Sequence, residues 1–363
     1  MDKPLSQRDL ARIAGVSPMT VSLALRGHTS ISAATRERIR KLAEKHNYRP
    51  DPALAALNAY RLRNTERRYQ GTLAWITRFP TADGWREMIH AESYFNGAAR
   101  RAEELGYQLE NFWLDEPGLR PARATQILLA RGVKGIIAAP LSVASGTMEL
   151  GWKHFPCITL GYSLREPRLN VVMNHQSRNM KQLVHRLHQT GYRRIGLAMP
   201  SANNERVDQN YLGGYLISQR ETGGPILEPL LADDFCLPVF RKWLRKQKPD
   251  CVVISPVWHD EVKAWLQAEN LAVPSDIGLA APSVTSDSRH LSGIDENPSL
   301  IGAVAVNALV GMIHNRESGI PDQPWSLLTE GIWHEGDSTL KAPAPPRQGP
   351  DGNLDGKDRR RRK

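Results

Sequence analysis

From about residue 71 to residue 340, short apolar runs alternate with longer amphipathic stretches. The runs predict strands at 72–77, 108–113, 135–139, 157–160, 194–199, 251–255 and 277–281. The stretches between them predict helices at 94–105, 122–131, 179–190, 212–222, 239–246, 259–270 and 299–315, with Gly106, Gly132 and Gly191 at expected helix ends. Brief apolar strands separated by helices are the pattern of parallel sheets covered on both faces. The expected fold class is therefore α/β, a two-lobed doubly wound parallel-sheet core. Such sheets bind ligands beyond the carboxyl ends of their strands.

The first 49 residues follow a purely helical rhythm, so an all-α domain is expected ahead of the core. Ser6 stands three residues before Asp9, a loose capping box that starts a helix at Gln7. Leu10, Ile13 and Ala14 share one face of it. Gly15 ends it and Val16 plugs the turn. Ser17 is then an N-cap and Pro18 fits the first position of a second helix. Val21, Ala24 and Leu25 supply its inner face, while Met19, Thr20, Ser22 and Leu23 lie opposite. Ser32 caps a third helix carrying Thr35, Ile39, Leu42, Ala43 and His46 at helical spacing. Two short helices joined through a glycine turn make a helix-turn-helix, whose second helix enters the major groove of DNA.

Charge sharpens that expectation. Of the net +10 over 363 residues, +8 falls in residues 1–70 and +5 in 341–363, leaving −3 for the body. A basic head of domain size suits a polyanion. The tail 341–363 ends in Arg359–Lys363 and is rich in Pro and Gly, so a disordered basic end is expected. No run approaches 18 apolar residues and the first residues carry no apolar leader, so a transmembrane helix is not expected and a cytoplasmic location is. Three scattered cysteines, 157, 236 and 251, suggest neither a disulfide framework nor a zinc site.

Particular runs carry a resemblance. Ala14-Gly15-Val16-Ser17-Pro18-Met19-Thr20-Val21-Ser22, Ile31-Ser32-Ala33-Ala34-Thr35-Arg36 and Asn47-Tyr48-Arg49-Pro50 closely resemble the LacI/GalR family of bacterial transcriptional regulators. The likeness extends through Gly135–Pro140, Gly191–Gly196, Val273–Ile277 and Leu291–Asn297 to about residue 338. It implies a helix-turn-helix (1–49), a hinge helix and linker (50–70), and a periplasmic-binding-protein-like core (71–340) that binds an effector and dimerises. Lobe 1 is expected over about 71–170 and 299–325, lobe 2 over about 171–298 and 326–340.

The resemblance puts Pro18 and Met19 at the start of a base-reading helix. Leu23 stands where many members carry Arg, which replaces a guanine-reading fork with a side chain suited to a thymine methyl. Ser17, Thr20 and Ser22 can serve phosphates, and Arg26 can reach the backbone. In the hinge, Asp51 and Pro52 open a segment, 53–60, too short to be helical alone in water. Leu57 matches the family's intercalating leucine, which would wedge into the minor groove.

In the body no phosphate-binding glycine loop, nucleophile elbow or metal-binding histidine pair occurs, so no catalytic residue, metal or cofactor is expected. The usual sugar-hydroxyl partners of the family are also replaced, by Tyr211, Pro256-Val257 and Ser283. Arg78, Tyr211, Trp258 and Glu296 match cleft-lining positions and are the effector-site candidates: Arg78 for an anion, Trp258 to stack on a sugar face, Glu296 to accept from hydroxyls. The expectation is a dimeric repressor of a pseudo-palindromic operator, controlled by a small, sugar-like effector. The alternative is a cytoplasmic small-molecule-binding protein with no role on DNA.

Overall fold

The structure, a computed structural model, describes residues 7–25, 31–46 and 69–341. They form a helical head and an α/β body.

In the head, α1 (Gln7–Ala14), α2 (Pro18–Leu25) and α3 (Ala33–Lys45) enclose a small core of Leu10, Ala11, Ala14, Val21, Ala24, Ile39 and Ala43. The buried stripe of α1 runs through positions 10, 11 and 14. Ile13 faces outward and is 42% exposed, which corrects the expected 10/13/14 face. In so short a bundle the closer spacing lets the two alanines bring α1 near its neighbours.

The body runs β1 (Gly71–Thr77), α4 (Ala91–Glu104), β2 (Tyr107–Trp113), α5 (Pro121–Ala130), β3 (Val133–Ala138), β4 (Gly146–Thr147), β5 (Cys157–Leu160), β6 (Leu164–Glu166) and β7 (Asn170–Asn174). It continues α6 (Gln176–Gln189), β8 (Ile195–Pro200), α7 (Ser201–Arg206), α8 (Asn210–Glu221), β9 (Leu230–Ala232), α9 (Leu237–Gln247), β10 (Cys251–Ile254) and α10 (His259–Ala268). The last elements are β11 (Gly278–Ala281), β12 (Ser292–Asp295), α11 (Pro298–Asn315), β13 (Ser326–Thr329) and β14 (Ile332–His334).

Two six-stranded sheets result, ordered β13-β7-β5-β3-β1-β2 and β14-β12-β11-β10-β8-β9. Every pairing in them is parallel except β12 with β14. The central strands β1, β5, β10 and β11 are buried along their whole length, as parallel strands covered on both faces must be. Each sheet is flanked by two apolar clusters, one per face.

The lobe boundaries differ from those expected. Asn170–Asn174 pairs with β5, and Ser326–Thr329 pairs with Asn170–Asn174, so both belong to the first sheet. The chain thus crosses between lobes after Asn174, after Asp295 and after Thr329. The expected bounds, which follow from the resemblance, put 326–329 in the second lobe; its pairing with β7 puts it in the first. α11 also departs from expectation, being 18 residues long and apolar enough by composition to cross a membrane. Its apolar surface has another use: it packs on α4 and on the first sheet through Ile301, Ala305, Val306 and Leu309.

Candidate functional site

The head presents its turn as the sequence requires. Gly15 has φ +62°, a left-handed conformation that a β-carbon disfavours. Val16 N–H closes the turn on the Ala11 carbonyl at 3.1 Å. Ser17 Oγ accepts from Thr20 N–H at 3.0 Å, capping α2, and lies 2.9 Å from Thr20 Oγ1. Ser32 repeats the device for α3, accepting from Thr35 N–H at 3.3 Å. Arg36 donates to the Ile31 carbonyl at 3.1 Å and so clasps the connection into α3. Pro18, Met19, Ser22 and Leu23 all fall within α2, together with Ser17 and Thr20 at its start. Arg26 and the hinge leucine Leu57 lie outside the described residues.

In the body, the carboxyl ends of both sheets face one cleft. An inner cavity of about 120 Å³ is lined by Pro140 after β3, Gly161 and Tyr162 after β5, and Asn174 at the end of β7. From the other lobe come Asn203 and Arg206 of α7, Tyr211 of α8, Ser255 and Pro256 after β10, Ser283 after β11 and Glu296 after β12. A wider, more polar recess of about 760 Å³ adjoins it, and Met88, Ile89, His90 and Pro256 line both.

Of the four candidate effector residues, two meet in this cavity. Tyr211 O–H donates to Glu296 Oε1 at 3.4 Å, and both side chains are buried. The other two do not line it. Arg78 Nε donates to Asp115 at 2.8 Å and its Nη1 to the Thr147 carbonyl at 2.8 Å, which ties it to the loop after β2 and to β4. Trp258 turns into an aromatic cluster, its ring 5.1 Å from Phe235 and 6.1 Å from Trp265. A carboxylate partner holds the first, and burial of a large ring holds the second.

The sequence reading missed His90. Its backbone is left-handed (φ +65°) at the start of α4, and its imidazole Nε2 lies 2.6 Å from Ser283 Oγ and 3.8 Å from Glu296 Oε2. Ser283 and Asn174 line the same cavity and favour the charged form of Glu296. Burial pushes Glu296 up to about 7 and His90 down to about 4, so the imidazole is neutral at neutral pH. Burial likewise raises Tyr94 and Tyr211, which remain phenols. The small side chain at 283, flagged in the sequence only as a departure, leaves the space that His90 fills from 193 positions away.

His90, Ser283 and Glu296 resemble a hydrolytic cluster in composition but not in order. One imidazole nitrogen faces both neighbours, so the imidazole does not stand between hydroxyl and carboxylate as an acid-oriented base must. Among the described residues no three His, Cys, Asp or Glu side chains gather as metal ligands would.

Two further bridges cross the cleft. Arg206 donates from Nη1 to the Leu141 carbonyl at 2.9 Å and from Nη2 to the Ser142 carbonyl at 3.0 Å. Arg165 donates to Asp208 Oδ1 at 2.7 Å and to the Glu205 carbonyl at 3.2 Å. With His90 and Ser283, they fasten the lobes together by the chain's own side chains.

Comparison with known proteins agrees with this architecture. The family profile "Bacterial regulatory proteins, lacI family" matches residues 7–51. The HTH-type transcriptional regulator PtxS of Pseudomonas plecoglossicida is 29% identical over 203 residues, 54% of this chain and 56% of the relative. The lactose operon repressor of Escherichia coli K12 is 27% identical over 230 residues, 62% of this chain and 59% of the relative. The chain thus matches a little over half the length of these relatives. Among solved structures, a complex of the transcriptional regulator CelR with cellobiose has a TM-score of 0.57 at 20% identity, covering 93% of this chain and 100% of the other. The lac repressor dimer bound to operator and the anti-inducer ONPF has a TM-score of 0.54 at 18% identity, with the same coverage. These likenesses show the fold. Residues 7–51 match the LacI family profile, and the sequence relatives of the chain are named transcriptional regulators and a repressor.

Proposed function

We propose that this protein is a sequence-specific DNA-binding transcriptional repressor rather than an enzyme, acting in the cytoplasm as a dimer on a pseudo-palindromic operator. The observation that carries this reading is the capped helix-turn-helix of residues 7–25, within the segment that matches the LacI family. Its second helix presents Pro18, Met19, Thr20, Ser22 and Leu23 to the major groove, with Ser17 and Arg26 on phosphates. Two copies of Leu57, one per hinge, wedge the minor groove. The operator-bound lac repressor dimer and the cellobiose-bound CelR among the structural neighbours favour a dimer, a DNA partner and a carbohydrate-like effector here.

The effector occupies the inner cavity and the recess beside it. The bridges of His90, Arg206 and Arg165 make the closed cleft a discrete state, and an effector acts through its different affinity for the closed and open states. That difference changes the spacing of the hinges and hence operator affinity.

The reading is tested by selecting operator sequences from a random pool and measuring affinity by gel shift at several salt concentrations. A palindromic consensus is expected, bound at least a thousandfold tighter than random duplex by the usual margin of such proteins. Sequence-blind binding overturns it, as does operator occupancy left unchanged both by deletion of residues 1–60 and, in a separate variant, by Leu57→Ala.

A further inference from the structure

The inner cavity holds an acid without a base. Glu296 is 4% exposed, and its nearest basic neighbour is His90, whose buried imidazole is neutral. Arg206, the other basic group lining the cavity, uses Nη1 and Nη2 on the carbonyls of Leu141 and Ser142 across the cleft; among the described residues it forms no ion pair with Glu296. Asp295, beside Glu296, is taken by Arg289 at 2.8 Å and adds further negative charge.

A second acceptor stands next to it. Asn174 is 2% exposed and lines the cavity with Glu296, and among the described residues its Oδ1 has no hydrogen-bond partner. A buried acceptor left in this way costs about 1–3 kcal/mol, and native structures rarely leave one without reason. The remaining walls include the rings of Tyr94, Tyr162 and Tyr211, faces on which the methylenes around a cation can rest.

We propose that the inner cavity takes a small organic ammonium ion, an amine of about amino-sugar size, whose N–H donors engage the Glu296 carboxylate and the Asn174 carbonyl oxygen. This deepens the effector reading above and rests on it. A neutral hydroxyl satisfies one acceptor and gives the ionised form of Glu296, which burial disfavours, no countercharge. An ammonium group satisfies both acceptors and supplies the missing charge in a site shielded from water, where charge-assisted bonds are strongest. A carboxylate ligand meets like charge. Among the described residues Glu296 is the one carboxylate that lines the cavity.

The test is calorimetric titration of the full-length protein with shape-matched pairs: glucosamine against glucose, galactosamine against galactose, putrescine against 1,4-butanediol, and glucuronate as the acid. At least one amine is expected to bind tenfold or more tighter than its neutral counterpart, with glucuronate weaker than glucose. Glu296→Gln, nearly isosteric, is expected to erase the preference. Equal binding within every pair, tighter binding of glucuronate, or no binding of any amine overturns the proposal. If Glu296→Gln fails to fold, the matched pairs on the unaltered protein decide alone. Gel shift on the same preparation separates the two readings: operator binding without amine selectivity sinks this inference only, and amine selectivity without operator binding sinks the repressor reading only.

Discussion

His90, at the entrance to α4 of the first lobe, and Ser283, at the end of β11 in the second, share a 2.6 Å hydrogen bond across the cleft. The bond joins the two sheets at their carboxyl ends, where Glu296 also arrives. It places a neutral imidazole and a reluctant carboxylate in one buried cluster, and the two respond to pH in opposite senses.

The titration of the pair should be nearly invisible in the intact protein and plain in single variants. Glu296 has a native value of about 7 against an ordinary 4.5, so the native state holds a proton that the unfolded chain has released between those values. Its contribution to stability is full below 4.5 and is lost as pH rises through 7. His90 has a native value of about 4 against an ordinary 6.5, so its contribution is full above 6.5 and is lost as pH falls toward 4. Each amounts to about 3 kcal/mol over its window, and they oppose one another from about pH 4.5 to 6.5. Relative to the intact protein, Glu296→Gln should become more stable with rising pH across that range and His90→Asn less stable. Urea midpoints measured from pH 4 to 7.5 check this; parallel curves for both variants would refute the opposed pair.

The two arginine bridges should differ in weight. Arg206 makes two charge-assisted bonds to carbonyls at a partly buried site, and burial lowers its own affinity for a proton. Arg206→Ala should cost about 2–4 kcal/mol of closed-state stability. Arg165 meets an exposed aspartate, and Arg165→Ala should cost less than about 1 kcal/mol. Small-angle scattering should therefore show an expanded body for the first variant and an unchanged one for the second.

The head offers a test at the boundary between stability and recognition. Ser17→Ala removes the cap of α2 and should cost the head about 1 kcal/mol; Gly15→Ala, at φ +62°, should cost about as much through backbone strain. Neither change removes a basic residue. Operator affinity should fall for both while the slope of its logarithm against log salt stays fixed. A change in slope would mean that the substitution also displaces a basic side chain from its phosphate.

What the sequence discloses and what it hides follow from range. The strand at 157–160 is bounded in the sequence as in the structure, because the short Cys-Ile-Thr-Leu run, rich in β-branched residues and set between Pro156 and Gly161, is a local signal. The cap at Ser17 and the turn at Gly15 are equally local. Asn170–Asn174 and Ser326–Thr329 escape notice because they are short, begin or end on polar residues, and gain their identity only by pairing with each other. The same holds in the cleft. Tyr211 and Glu296 follow elements whose ends point inward, so their position along the chain nearly determines their place. Arg78 and Trp258 also lie at strand ends, yet Asp115 and Phe235, distant in sequence, draw them away. His90 has no local mark at all; its meaning depends on a serine 193 residues on.

The close approach of α4 and α11 supplies the last prediction. A β-carbon on Gly302 would come within 2.0 Å of the Tyr94 carbonyl oxygen and 2.9 Å of Ala98 N; one on Gly97 would come within 2.0 Å of the Ser299 carbonyl oxygen. Backbone cannot turn aside as a side chain can, so Gly302→Ala must push the helices apart. The cost should be about 3 kcal/mol. Because α4 begins beside His90 and carries Tyr94, the displacement also pulls both from Glu296, and effector affinity should fall with stability. Gly311 lies on the same helix with nothing within 4 Å of its absent β-carbon. Gly311→Ala should instead stabilise the body by about 0.5–1 kcal/mol, since helix propensity is all that changes there. Thermal midpoints moving in opposite directions for the two variants, with ligand affinity lost only at 302, would establish the contact as the device that holds α4 against the cleft; equal shifts would dismiss it.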